Sequence, residues 1–366
     1  MPWSTPTLKD TRRMVRDNVT AMVQGAAMVG NNVLRVICDA TAGMARLVLE
    51  YLDWLAKQIM VDTAETEWLD RHGQIWLVNA DGSKGRKQPT LAFGTVTVTG
   101  TEGAVVPAYS VLVSDNNLSY ETLQLTYVGT GPTNVPVRAL DGGPDGNLDP
   151  GDNIAFDSAP PGVDDAAVVV NVTGGAPEEN DDDLRTRVLL RIQQPPMGGD
   201  KTDYIQWTLA VPGVTRAWSY PLEMGIGTVS VRFMMDDLRA DNDGFPLPPD
   251  VDVVRAYLDT VRPVAVKDFF VVAPLPYPID HIIYGLDPDT PATREELTLN
   301  LRKMFDLRTK PSQAWYRAWS EEAVSETANV FSFDLALAAD GGTGRHVNMP
   351  APGYMATLGN ITYLAA

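Results

Sequence analysis

Apolar residues recur at helical spacing through the first sixty positions. Val15, Val19, Met22, Ala26, Val29 and Val33 step by four or three residues, and Ile37, Ala40, Met44, Leu47, Tyr51, Leu55 and Ile59 continue the same stripe. The spacing predicts one apolar face held in line along the segment. Its weak point is the Gly30-Asn31-Asn32 triplet, so the reading is either two helices or one long helix with a soft joint there. Arg12, Arg16, Arg35, Asp39, Arg46, Glu50, Asp53 and Lys57 flank the stripe. At about 1.5 Å per residue such a helix outreaches the core of one small domain. A long, narrow apolar face is what bundle helices present to partners, and packing on the chain's own core is the alternative.

After Pro89 the period changes to two. TLAFGTVTVTG sets Phe93, Val96 and Val98 among Thr and Gly, and Val105, Val106, Val111, Leu112 and Val113 follow between turn residues. The texture continues through SYETLQLTYVGTG, NVPVRAL, DNIAF and DAAVVVNV, a spacing that suits an all-β unit. At Glu178 it changes again. EENDDDLRTRVLLRIQQPP places acids before an apolar and basic run that Pro195-Pro196 stop, as a helix requires. Thr202 to Ala210 reads as a second helix. VTRAWSYP, TVSVRFMM and DFFVVAPL read as strands, with a helix near Asp250 to Val261. A comparable order follows: YPIDHIIYGL as strand, Arg294 to Phe305 and Trp315 to Glu326 as helices, ANVFSFDL as strand. The predicted class is α+β and multidomain: a helical segment over 1–75, a β-rich domain over 76–177, and two small α+β domains over 178–275 and 276–366.

Charge and composition narrow the function. The chain of 366 residues carries 29 basic against 47 acidic side chains, a formal net charge of −18. Residues 139–184 hold twelve Asp and Glu and no Lys or Arg. Such a surface repels phosphates and anionic headgroups, so neither nucleic acid nor a membrane is an expected partner. No apolar run is long enough to span a bilayer, and Arg12-Arg13 has no apolar core behind it as an export signal would. Cys38 is the single cysteine, which excludes an internal disulfide.

Catalytic signatures are sparse. His72, His281 and His346 lie far apart, and there is no phosphate-cradling glycine loop, no HExxH and no GxSxG. No catalytic residue, cofactor or metal site is expected. The loop DNDGFPLPPD has Asp241, Asp243 and Gly244 in calcium-loop positions, but Arg239 replaces the first ligand and Asp250 the final Glu. Asp141, Asp145, Asp149 and Asp152 read as solvated turn residues. Trp207, Trp218, Trp315 and Trp319 fall at packing positions, whereas Trp54 and Trp68 are placed to anchor a neighbour.

The segments also resemble a family when read in order. The motifs are Leu69-Asp70 with Arg71 and Gly73, the Gly146-Asn147 turn, Gly174-Gly175 with Asp183, Leu184, Arg185 and Arg187, and Asp203-Tyr204 with Trp207 before Pro212-Gly213-Val214. Over nearly the whole chain this order is similar to the baseplate J-like proteins of contractile-tailed phages. The chain departs from the family at Met60-Val61, where a proline is usual, and at Tyr109, where a glycine is usual. TKPSQAWYRAWSEEA also lacks an expected glycine pair. The resemblance implies a structural wedge subunit of a tail baseplate in the virion, made and assembled in the bacterial host cytoplasm, and not an enzyme. The implied partners are a second copy, smaller wedge proteins, neighbouring wedges, the hub and sheath-proximal proteins, in a ring that gates sheath contraction, with 276–366 as the implied ring or dimer contact. Rival readings are a host-surface glycan-recognition protein of the same tail and an enzyme degrading envelope polysaccharide.

Overall fold

A computed structural model of the chain describes residues 5–23, 32–263, 266, 268–328, 330–338 and 344–365. They form two compact units. The first combines the segment ending at Leu77 with Lys84–Arg86 and Asn180–Ile192; the second holds Val78–Ser83, Lys87–Glu179 and the chain from Gln193 onward.

The first unit is helical. α1 spans Leu8–Met22, α2 Val33–Ile59 and α3 Thr66–Trp76, and the unit also contains the greater part of α4, Asp181–Gln193. Thr7 caps α1 by accepting from Asp10 N, and Asn32 caps α2 by accepting from Leu34 N. The periodic segment thus forms two helices, and the expected joint at Gly30-Asn31 lies outside the described residues. Below α2, Leu69 of α3 and Leu184 and Val188 of α4 share a core with Val61, Ala64 and Leu77. Each fully buried Leu or Val there contributes roughly 1.5–3 kcal/mol.

In the second unit, β1 (Leu91–Gly100), β2 (Val105–Val106), β3 (Val111–Ser114), β4 (Ser119–Thr122), β5 (Thr126–Tyr127), β6 (Thr133–Gly142), β7 (Asn153–Phe156) and β8 (Val163–Thr173) come first. Six of them close a barrel in the order β1-β6-β4-β3-β7-β8, and β2 pairs with β5 beside it. Val96, Val98, Leu112, Tyr120, Val135 and Val137 fill the barrel, each fully buried. Closure brings β1 so near β8 that a Cβ on Gly94 would meet Asn171 O at 1.8 Å, which is why glycine stands there. Closure also removes the sheet edges that an open all-β unit would expose.

Two α+β layers follow. α5 (Lys201–Leu209) and α6 (Pro248–Val261) pack on a sheet of β9 (Arg216–Pro221), β10 (Thr228–Met234) and β11 (Asp268–Val271), ordered β11-β10-β9, with β10 and β11 parallel. Tyr204, Val231, Phe233, Val254 and Leu258 form their core. The last layer has β12 (Leu275–Asp287), α7 (Pro291–Arg308), β13 (Trp315–Tyr316), α8 (Arg317–Ser325), β14 (Ser332–Leu337), β15 (His346–Val347) and β16 (Tyr354–Leu364). Its main sheet is ordered β14-β12-β16, with β16 parallel to β12. Trp315 and Tyr316, expected to open a helix, instead pair with Val347 and His346. The reason lies in the Trp315 ring, 1% exposed and stacked on Phe305 at 3.7 Å between centroids, which anchors the residue in the core before the helix starts.

Candidate assembly surface

α1 and α2 run antiparallel. The Arg16 guanidinium grips the Asp39 carboxylate through Nε at 2.9 Å and Nη2 at 2.6 Å, and two turns further along α2 Arg46 donates to Pro6 O at 2.6 Å. The hydrogen bond from Arg16 holds the Asp39 carboxyl below the usual carboxylate range. Between these two clamps the facing side chains are small: Cys38 and Ala42 on α2 and Thr11 on α1 are buried. Small residues let the two backbones approach closely.

The other side of α2 is apolar and bare. Val33 is 73% exposed, Met44 70% and Leu47 67%, and Val36, Ile37, Val48, Tyr51, Leu52 and Ile59 are also exposed. At the ~100° per residue of an α-helix, Val33, Ile37, Met44, Leu47, Tyr51, Leu55 and Ile59 fall within an arc of about 120°, with Ala42 opposite. Ordinary amphipathic logic would turn this arc inward. Here α1 occupies the opposite face, through Cys38 and Ala42, and the apolar arc meets solvent. Of the stripe read from sequence, Val15, Val19 and Leu55 are half-buried and Met22 is exposed, while Ala26 and Val29 lie outside the described residues.

A tightly bonded base holds the C-terminal end of this face. Tyr51 stacks on Trp54 at 5.7 Å, Trp54 meets the edge of Trp68 at 6.3 Å, and Trp54 Nε1 donates to the Glu65 carboxylate. The two tryptophans read from sequence as anchors for a neighbour are therefore engaged with one another. The Gln58 amide oxygen accepts from Glu65 N, fixing the turn into α3, and Arg185 donates to Val61 O and Ala64 O of that turn. Arg86 bridges Asp70 and Asp181, with Nε at 2.8 Å from Asp70 and Nη2 at 2.6 Å from Asp181. Hydrogen bonds from Thr66 and Arg86 keep the Asp181 carboxyl below its ordinary range. A Cβ on Gly73 would come within 3.1 Å of Leu184 Cδ1, so the glycine gives α4 its seat.

Residues that carry the sequence motifs elsewhere are also committed to turns and packing. The Asn147 side chain donates to Gly175 O at 2.9 Å and accepts from Gly175 N at 2.8 Å, joining two motifs distant in sequence. The Asp203 carboxylate gathers the N–H groups of Met197, Gly199 and Asp200. Arg239 forms a two-point ion pair with Asp250 at 2.8 and 2.7 Å across the calcium-loop-like segment. Among the described residues no three His, Cys, Asp or Glu side chains converge as a metal site would. His72 Nε2 lies 3.1 Å from Gln58 O, His281 is enclosed in the last core, and His346 packs beside Tyr316. The three histidines serve three different places.

Comparison with known proteins gives consistent results along the chain. A family model described as the baseplate J-like protein barrel domain matches residues 95–175, and one described as the baseplate J-like central domain matches residues 196–273. These ranges fall on the closed barrel and on the layer built by α5, α6 and β9–β11. Baseplate protein gp47 of Escherichia phage Mu is 31% identical, covering 92% of this chain and 94% of that protein. The Mu-like prophage FluMu protein gp47 of Haemophilus influenzae is 35% identical, covering 74% and 76%. A chain in the cryo-EM structure of the anti-feeding prophage baseplate aligns with a TM-score of 0.49 at 12% identity, covering 97% of this chain and 91% of that one.

Proposed function

Because the chain belongs to the baseplate J-like family, we propose that it is a structural wedge subunit of a contractile tail baseplate, docking through the outer face of α2. The observation that carries the docking surface is the bare apolar arc of α2, whose opposite face α1 already covers. An isolated hairpin gains nothing from keeping Met44, Leu47 and Tyr51 in water, and a helical bundle gains their burial. The partners are the helices of a second copy and of a smaller wedge protein, and wedges joined through 276–366 close a ring around the hub that gates sheath contraction. The protein acts by assembly and not by catalysis, in the virion tail after assembly in the host cytoplasm.

Light scattering of the full chain, alone and co-expressed with the products of its neighbouring genes, tests this. The expected result is a discrete hetero-oligomer that Val19→Asp with Val33→Asp abolishes while the second unit stays folded, since buried unpaired carboxylates are costly. A monodisperse monomer that ignores every neighbour would overturn the reading.

A further inference from the structure

A cleft of about 660 Å³ in the second unit runs beside β16, and residues 355–361 line it without a gap. A cavity over a sheet face meets every second residue, because side chains alternate. One that meets seven residues in succession runs along the edge of the strand, where the backbone itself is the wall. β16 is terminal in its sheet, so among the described residues no strand covers that edge.

The ladder decides which groups face the cleft. Leu275 N donates to Gly353 O at 3.0 Å, and Leu275, Tyr277 and Ile279 stand opposite Tyr354, Ala356 and Leu358. In a parallel pair each bonding residue reaches the two neighbours of the residue opposite it. Met355 and Thr357 therefore turn their N–H and C=O to β12, and Ala356 and Leu358 turn theirs to the cleft. Pro276 and Pro278 fit this phase, since those positions of β12 have no N–H to donate. At the start of the strand the outward carbonyl of Tyr354 is already taken by Ser312 N at 2.7 Å.

The cleft also has a charge. Four carboxylates, Asp236, Asp243, Glu295 and Asp306, line it against three guanidinium groups. Two of those, Arg216 and Arg294, are engaged by Asp236 and Asp289. That leaves Arg302 to balance Asp243, Glu295 and Asp306.

We propose that this edge takes an extended segment of a partner polypeptide as a further strand, with a Lys or Arg side chain directed at the unbalanced carboxylates. Residues 355–359, before the register shift at which Asn360 N turns to the Asp280 carboxylate, offer about 16 Å of edge at ~3.3 Å per residue. The surface is separate from α2, and neither proposal needs the other.

The test titrates the full chain with an acetylated and amidated eight-residue peptide of alternating Val and Lys. Two control peptides accompany it: one with alternate amides N-methylated, which keeps the charge and loses the donors, and one with Glu for Lys. Saturable binding of the first, weakened about tenfold or more by N-methylation and by Glu, is the expected result. Leu358→Pro removes one cleft-facing N–H and no bond to β12, and should weaken binding similarly. Glu295→Gln with Asp306→Asn, which leaves the backbone untouched, should reduce the preference for Lys over Glu. Equal binding of the N-methylated peptide overturns the proposal, as does no binding at about 1 mM. Self-association of the chain that Leu358→Pro abolishes would also overturn it, by making a second copy the occupant.

Discussion

At the scale of single residues, Tyr109 shows how the chain makes a left-handed turn without glycine. Its φ is 64°, in the left-handed region, and its N–H donates to Thr122 O at 2.8 Å, so the turn is retained with a side chain that disfavours it. The ring is 69% exposed and gives little burial in return. Tyr109→Gly should therefore stabilise the barrel by about 0.5–1 kcal/mol after the entropy of glycine is counted, and Tyr109→Val should destabilise it. Denaturant midpoints of the two variants check this, and a loss of stability in the glycine variant would refute it. His281 carries the pH dependence. The ring is fully buried, with Nδ1–H donating to Ile279 O and Nε2 accepting from Ser320 Oγ, which in turn accepts from Trp315 Nε1. Burial pushes its pKa down to about 4 from 6.5. A base whose folded pKa is depressed contributes stability in full above its unfolded pKa and loses it as pH falls to the folded value. The last layer should thus lose on the order of 3 kcal/mol between about pH 6.5 and pH 4. The lowered carboxyls of Asp39 and Asp181 act below that window. Melting curves at pH 7.5 and 4.5 should converge in His281→Gln; an unchanged pH slope in that variant would assign the effect elsewhere.

At the scale of elements, the two faces of α2 have opposite sensitivities. Ala42 is fully buried against α1, so Ala42→Leu overpacks the hairpin and should cost about 1–3 kcal/mol. Met44, two residues on, is 70% exposed, so Met44→Asp should leave the melting temperature of the free chain within about 2 °C while preventing co-purification of partners. A folding defect in Met44→Asp would show that the arc is covered within the chain. The helical period over 15–59 was plain in the sequence, but period alone does not say which neighbour covers a face. Cys38 and Ala42, too small to stand out in a stripe of Val, Met and Leu, mark the inner seam. Strands were legible where Val and Thr alternate, as in β1 and β10. β16 was not read, because Gly359-Asn360 interrupts YMATLGNITYL and resembles a turn. In the structure that interruption is a register shift against β12, where Asn360 N donates to the Asp280 carboxylate. The helix expected from Trp315 starts two residues later because the tryptophan is fixed in the core first. No sequence pattern marks the edge of β16 as open, since openness is a property of the sheet order.

At the scale of the whole molecule, α4 shows why segment order alone gives an incomplete division of the chain. Its acids, Asp181 to Asp183, precede Leu184 and Val188, and the sequence reading attached the helix to the α+β layer that follows. Arg86, reached only after α3 has ended, bonds both Asp70 and Asp181, and Arg185 caps the turn at Val61 and Ala64. The Arg86–Asp181 bond and the two from Arg185 join positions more than 90 residues apart in sequence, which no local pattern carries. They give the first unit a core of its own, distinct in composition from the barrel core of Val96, Val98, Leu112 and Tyr120. Cooperativity follows cores, so thermal unfolding of the chain should not be a single two-state step. Leu184→Ala removes a fully buried side chain from the first core and should cost that unit about 2–5 kcal/mol. In hydrogen exchange the variant should lose protection over 33–77 and 181–192 together, and keep it over the barrel strands β1, β6 and β8. If α4 instead shared a cooperative unit with the layer after it, residues 201–209 would lose protection with Leu184→Ala and 33–59 would not. The two patterns exclude each other, so one exchange experiment decides to which unit the helix contributes its stability.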